Sequence, residues 1–316
     1  MDLDDAVSDS SGGAHISEAQ ARAAAINAPS VGAEVRPLPR KWELSTQAPV
    51  IGAVRPLPEP SLARQLRFRL SNVELDGVST ENFDVAAASL SGSGHTIHGG
   101  SRQDSYNFAV GASGEMLLAV ADGLGSSVAS QVGSRLFCDS IITIAADHVI
   151  TTVDDLNDLI TRASERTQRI AESGHGLSVQ DISCVCVVGL VRPECTLVAR
   201  IGDASAFLLN EDEFAEVFVD SGSFLNVVAA SFPGHVASDV EVVFLEGAPG
   251  ILALVTDGLA NDIRASGTVR EWLQERWHAP IGAFTMGDSL RYRRQGSFDD
   301  RTAVVVWPRL QSAQGE

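Results

Sequence analysis

Lysine is nearly missing from this 316-residue chain: Lys41 is the only one, and the other basic residues are arginines. Acidic residues outnumber basic ones 41 to 23, which gives a formal net charge of −18. So acidic a chain argues against nucleic-acid or anionic-membrane partners, because both need basic patches. Cysteine is scarce too. Cys138, Cys184, Cys186 and Cys195 form no C-x-x-C pair, which argues against a zinc site or a disulfide framework. Cys184 and Cys186 alternate with valines, so they should share one face of a strand as buried free thiols. No apolar run approaches a membrane span, and Met1-Asp2-Leu3-Asp4-Asp5 has neither the basic nor the apolar region of a secretion signal. A cytoplasmic protein is expected. Walker A, G-x-G-x-x-G and G-x-S-x-G motifs are also missing, which removes support from nucleotide-binding and α/β-hydrolase readings.

What the chain does contain is enough apolar sequence for a substantial core, 44% of residues. Residues 1–80 stand apart. They are rich in Ala, Ser, Pro and Asp without a sustained apolar period, and they read as a largely disordered extension with one short helix, Ser17 to Asn27. A repeat lies inside it: Val31-Gly32-Ala33-Glu34-Val35-Arg36-Pro37-Leu38-Pro39 recurs as Ile51-Gly52-Ala53-Val54-Arg55-Pro56-Leu57-Pro58. The shared V-R-P-L-P favours polyproline II and reads either as a duplicated docking motif for a partner or as a drifting linker duplication. Residues 81–310 read as one globular domain, followed by a tail, 311–316. Strand-like runs at 83–90, 107–110 and 116–121 precede two amphipathic helices at 127–146 and 153–171. Strands follow at 182–191, 196–201, 204–209, 214–219, 240–245 and 251–256. Helices at 269–277 and 281–292 and a final strand at 302–307 complete it. This order is not a βαβ alternation. It predicts an α+β fold of antiparallel sheets with helices packed outside.

Three aspartates sit at strand ends: Asp122 in Val120-Ala121-Asp122-Gly123, Asp257 in Val255-Thr256-Asp257-Gly258, and Asp299 in Phe298-Asp299-Asp300. An apolar strand that delivers a carboxylate, followed by a glycine that admits close approach, suits hard divalent cations. One such Asp-Gly alone more often marks a hairpin turn.

The order of motifs resembles the metal-dependent protein phosphatases of type 2C, in particular their compact bacterial branch. Five runs carry the resemblance: Gly100-Ser101-Arg102-Gln103-Asp104-Ser105; Ala121-Asp122-Gly123-Leu124-Gly125 with Ser130 and Gly133-Ser134; Ile201-Gly202-Asp203-Ala204-Ser205-Ala206-Phe207; Thr256-Asp257-Gly258-Leu259; and Asp299-Asp300-Arg301-Thr302. They span about 90 to 308, and residues 1–80 lie outside. The resemblance implies two packed antiparallel sheets flanked by helices, an α-β-β-α sandwich with metals in a cleft at one end. It implies two Mn2+ or Mg2+ ions bridged by Asp122, with the Gly123 carbonyl on the second ion and Asp257 and Asp299 completing the first. Asp104 would act through a metal-bound water. A third ion often lies nearby, and Asp181 is its candidate, with a strand-capping or turn aspartate as the plainer reading. Asp203 reads as a turn aspartate.

The implied chemistry is hydrolysis of phosphoserine and phosphothreonine by a metal-bridging hydroxide. The implied partners are phosphoproteins and a cognate bacterial serine/threonine kinase. Two positions depart from the family. The arginine that usually precedes the first aspartate is missing, which leaves Arg102 and His95 as candidates to hold the substrate phosphate, with a solvated loop residue as the plainer reading of each. Leu124 stands where eukaryotic members carry a histidine. A catalytically weak domain that binds phosphoproteins or a kinase is the alternative, and a hydrolase of a small phosphorylated molecule ranks below both.

Overall fold

The computed structural model describes residues 50–51, 70–97, 99–111, 113–210, 213–218, 231–234, 239–247 and 250–309. The Ser17–Asn27 helix, both V-R-P-L-P copies and the 311–316 tail lie outside them. In chain order the strands are β1 Val50–Ile51, β2 Val73–Ser79, β3 Phe83–Leu90, β4 Ser105–Val110, β5 Met116–Gly123, β6 Cys184–Val191, β7 Cys195–Ile201, β8 Ser205–Leu209, β9 Phe214–Glu216, β10 Glu241–Glu246, β11 Ile251–Val255, β12 Arg293–Arg294 and β13 Arg301–Pro308. The α-helices are α1 Ser93–Ile97, α2 Ser130–Ala145, α3 Val153–Ile170, α4 Asp257–Ala265, α5 Gly267–Trp277 and α6 Ala283–Leu290.

Two antiparallel sheets stack, one of five strands in the order β10-β7-β6-β5-β4 and one of six in the order β2-β3-β13-β11-β8-β9. Strand parity builds the sandwich. On β5, Met116, Leu118 and Val120 fill the core between the sheets, while Leu117, Ala119 and Ala121 face α2 and α3. Leu252 and Leu254 of β11 and Val304 and Val306 of β13 meet the first set from the opposite sheet. Cys138, Cys184 and Cys186 lie in the sheet–helix layer, as the valine alternation predicts for the last two. Burial pushes the Cys186 thiol up to about 12, so it is protonated and unreactive at neutral pH. α6 packs on β2 and β3 and α4 on β13, which covers the second sheet. α3 begins at a capping box, Thr152 accepting from the Asp155 N–H while Asp155 accepts in return from the Thr152 N–H.

The folded region begins before residue 81, contrary to the sequence expectation. β2 pairs with β3 along its whole length, from Val73↔Leu90 to Ser79↔Asp84, and β1 pairs in parallel with β12. β2 is an edge strand with no buried residue, so it lacks the apolar alternation that would have revealed it. Helix α4 was also missed, because Asp257-Gly258 reads as a turn. Among the described residues no helix is long and apolar enough to cross a membrane.

Candidate active site

The parity that packs the core also carries polar groups to one end of the sandwich. Asp122 continues the Met116–Leu118–Val120 face and stands opposite Val185, a residue of the inter-sheet core. Thr256 continues the Leu252–Leu254 face and Thr302 the Val304–Val306 face. Both hydroxyls donate to Asp104 Oδ2, at 2.7 and 2.8 Å. Thr256 Oγ1 also accepts the Thr302 N–H at 3.1 Å, and Thr302 Oγ1 lies 2.5 Å from Ser89 Oγ. Asp104, only 2% exposed, is therefore held by the ends of two strands of the opposite sheet.

Asp122 and Asp257 lie close enough for each carboxyl group to perturb the other. Burial pushes the Asp122 carboxyl well above the usual carboxylate range, and the charges of Asp104 and Asp257 push it further. Asp257, the first residue of α4, is raised by burial and by the charges of Asp299 and Asp203. Burial and the charge of Asp300 likewise raise Asp104. Asp299 is exposed at the rim. Four aspartates from three distant stretches thus meet within electrostatic reach. Like charges stay this close only where a cation or shared protons relieve them. Among the described residues no three acidic, histidine or cysteine groups stand at closed coordination geometry, so the Asp122–Asp257 pair is the nucleus of a site rather than a finished cage.

Two glycines make the approach possible. A Cβ on Gly123 would lie 2.8 Å from Ser130 Oγ and 2.9 Å from the Gln103 carbonyl. A Cβ on Gly258 would lie 2.1 Å from the Asp300 carbonyl, so only glycine lets the start of α4 reach the 299–300 segment.

Other sequence candidates land elsewhere. Arg102 is 1% exposed; its guanidinium pairs with Glu74 and donates to the Ser71 carbonyl at 2.9 Å. It anchors β2 and is not available to clamp a phosphate. The carboxylate of Asp181 accepts from the Ser178 N–H and hydroxyl at 2.8 and 2.7 Å, which holds its pKa below the usual value. It caps a single 3₁₀ turn, Val179–Asp181, as the plainer reading had it. The acid whose charge does reach Asp257 is Asp203, expected to be only a turn residue. His95, on α1, places Nδ1 2.9 Å from Asp300 Oδ1, and that hydrogen bond raises its pKa.

Sequence reasoning overlooked two organising carboxylates. Asp300 accepts from the N–H groups of Gly92 and Gln103, at 2.7 and 2.6 Å, and so ties the segment before Asp104 to the segment holding Asp299. Asp262, 2% exposed on α4, receives Tyr292 Oη at 2.7 Å, Arg294 at 2.8 Å, Ser297 Oγ at 2.7 Å and Arg301 Nε at 3.0 Å. Its spacing of five from Asp257 gave no signal, since it matters only once residues 291–301 fold onto α4.

The family model described as Protein phosphatase 2C matches residues 91–291. The chain belongs to the protein phosphatase 2C family. Solved structures share its fold at low identity. A bacterial serine phosphatase matches with a TM-score of 0.55 and 14% identity, over 72% of this chain and 99% of that one. The catalytic domain of the serine/threonine protein phosphatase PstP, solved with 2 manganese ions, matches with a TM-score of 0.54 and 20% identity, over 72% and 98%. PppA of Pseudomonas aeruginosa, described as a key regulatory component of T6SS, matches with a TM-score of 0.54 and 23% identity, over 74% and 100%. A comparison with curated proteins found no match. As in other 2C-type phosphatases, the fold here is a pair of antiparallel sheets flanked by helices, and the acids lie at one end of it.

Proposed function

We propose that this protein 2C-type phosphatase is an active Mn2+- or Mg2+-dependent phosphoserine/phosphothreonine protein phosphatase. The observation that carries the reading is the convergence of Asp104, Asp122 and Asp257 at one end of the sandwich, where burial first and the neighbouring acids second raise all three. The donor set fits the metals, because hard cations take carboxylate and carbonyl oxygens. Asp122, the Gly123 carbonyl, Asp257 and Asp299 would hold two ions. For a third ion, Asp203 is better placed than Asp181. When bound, such ions supply a nucleophilic hydroxide at neutral pH and offset charge on the phosphoryl oxygens.

The protein's own groups do the rest. Thr256 and Thr302 hold Asp104 Oδ2, so Asp104 keeps a fixed place within reach of Asp122 and would orient a water there. Asp300 fixes the 92–103 segment. His95, whose pKa the hydrogen bond to Asp300 raises, is the basic residue of that segment to which we assign the phosphate-holding role that the buried Arg102 does not take. The thiols take no part. The natural substrates are proteins phosphorylated by a cognate serine/threonine kinase, in a cytoplasmic setting.

The test is hydrolysis of a phosphothreonine peptide and of p-nitrophenyl phosphate by the full chain with Mn2+, Mg2+ or EDTA, alongside Asp122→Asn. Turnover should require the metal and disappear in the variant. Metal-independent turnover, or an active variant, would sink the assignment. One observation favours a second reading, a weak or inactive domain that binds a phosphoprotein or kinase: Arg102, the arginine next to Asp104 in sequence, is buried against Glu74 and not free to meet a phosphate. Under that reading a folded wild-type chain shows no turnover with either metal.

A further inference from the structure

A cavity of about 610 Å³ opens beside the acid cluster and has Asp299 on its wall. Its size is that of a ligand pocket, typically about 300–1,000 Å³. Leu90, Leu290, Tyr292 and Phe298 give it an apolar lining. Phe298 is 50% exposed, an unusual position for a large aromatic side chain immediately before a site aspartate.

Four arginines also border it, and three are committed. Arg291 pairs with Asp288, and Arg294 and Arg301 pair with Asp262. Arg293 is exposed and has no side-chain hydrogen bond or ion pair with the described residues. The reason is strand parity. β1 pairs Val50 with Arg293 and Ile51 with Arg294. Ile51 is buried and Arg294 turns inward to Asp262, so Val50, 47% exposed, and Arg293 turn outward. The strand pair thus holds one uncommitted cation at the mouth of an apolar cavity, on a protein whose net charge of −18 would otherwise repel acidic ligands.

We propose that this cavity docks the polypeptide flanking the phosphorylated residue, and that Arg293 is a specificity-determining residue that pairs with an aspartate or glutamate of that segment. The inference rests on the phosphatase reading above. The phosphorylated residue lies at the Asp299 end, an apolar neighbour packs on Phe298, and the acidic side chain reaches Arg293. Charge complementarity at the rim of a site sets partner preference more than raw affinity.

The test compares full-length wild type, Arg293→Ala and Arg293→Glu on three substrates: p-nitrophenyl phosphate, a phosphothreonine peptide with acidic flanks, and the same peptide with alanine flanks. For the acidic peptide, KM should rise about 3- to 5-fold in Arg293→Ala, as for an exposed ion pair. It should rise roughly 10-fold in Arg293→Glu, where attraction becomes repulsion. Both effects should shrink in high salt. The other two substrates should be unaffected. Equal losses on all three would overturn the proposal, since Arg293 would then serve the reacting phosphate or the fold. So would a wild type with no preference between the peptides. If the wild type hydrolyses nothing, the phosphatase reading fails separately, and fluorescence anisotropy with the same labelled peptides decides this one. A preference for acidic flanks that Arg293→Glu abolishes supports the docking site, and equal binding of both peptides overturns it.

Discussion

Helix α4 carries two enclosed aspartates five residues apart, and they are opposites. Asp262 is surrounded by donors: two arginines, a tyrosine and a serine. Asp257 faces another acid, Asp122, with Asp299 and Asp203 nearby, and its pKa is raised. A buried charge that the protein neutralises itself is a structural joint. A cluster of charges left for something else to neutralise marks a functional site. The two are linked, because Asp262 fastens residues 292–301, the segment that holds Asp299, onto the helix that begins with Asp257.

The comparison breaks most visibly at Asp262. Replacing it with alanine strands Arg294 and Arg301 against a buried surface, and should cost about 3–5 kcal/mol. Urea denaturation measures the loss. A change under 1 kcal/mol would show that the joint carries no weight. At Asp122 the expected sign is reversed. Its charged form is disfavoured in the fold, so the folded state binds more protons than the unfolded one. Stability of the metal-free protein should therefore rise as pH falls from neutral toward the ordinary carboxylate range. Asp122→Asn should keep or exceed wild-type stability at pH 7 without metal, flatten that pH dependence, and abolish the increase in Tm caused by Mn2+. Thermal melts between pH 5 and 8, with and without Mn2+, read all three. A variant much less stable than wild type would make Asp122 a joint like Asp262.

The smallest effect concerns His95. Its pKa is raised first by the hydrogen bond to Asp300, then by the charges of Asp300, Asp299 and Asp104, against desolvation. A raised histidine stabilises the fold fully below its unfolded value and loses that contribution as pH rises through the folded value. His95→Ala should therefore be less stable than wild type at pH 6, by roughly 1 kcal/mol, and close to it at pH 9. Denaturation at the two pH values checks this, and a constant difference would mean that packing alone is lost.

Much of this was legible in the chain. Near-continuous apolar runs mark β5, β6, β7 and β11, because a strand buried on both faces must be apolar almost throughout. The Asp-Gly pairs at 122–123 and 257–258 advertise close approach, and a Cβ on either glycine would indeed meet a neighbouring atom within 3 Å. Their place in a series of five motifs pointed to the family. Edge strand β2 was not legible, since its exposed residues need no apolar pattern. The fate of Arg102 could not be read either, for its partner Glu74 lies in that same strand.

Strand parity and turn chemistry are local, so the layers, the family and the three strand-end aspartates could be read along the chain. Which charges meet is a matter of the folded arrangement. Asp257 with Asp122, Asp262 with Arg294 and Arg301, Asp300 with His95, and the outward turn of Arg293 all depend on segments distant in the chain arriving at one end of the sandwich. Whether an acid there becomes a joint or a site is a matter of its neighbours in space, and those no local pattern encodes.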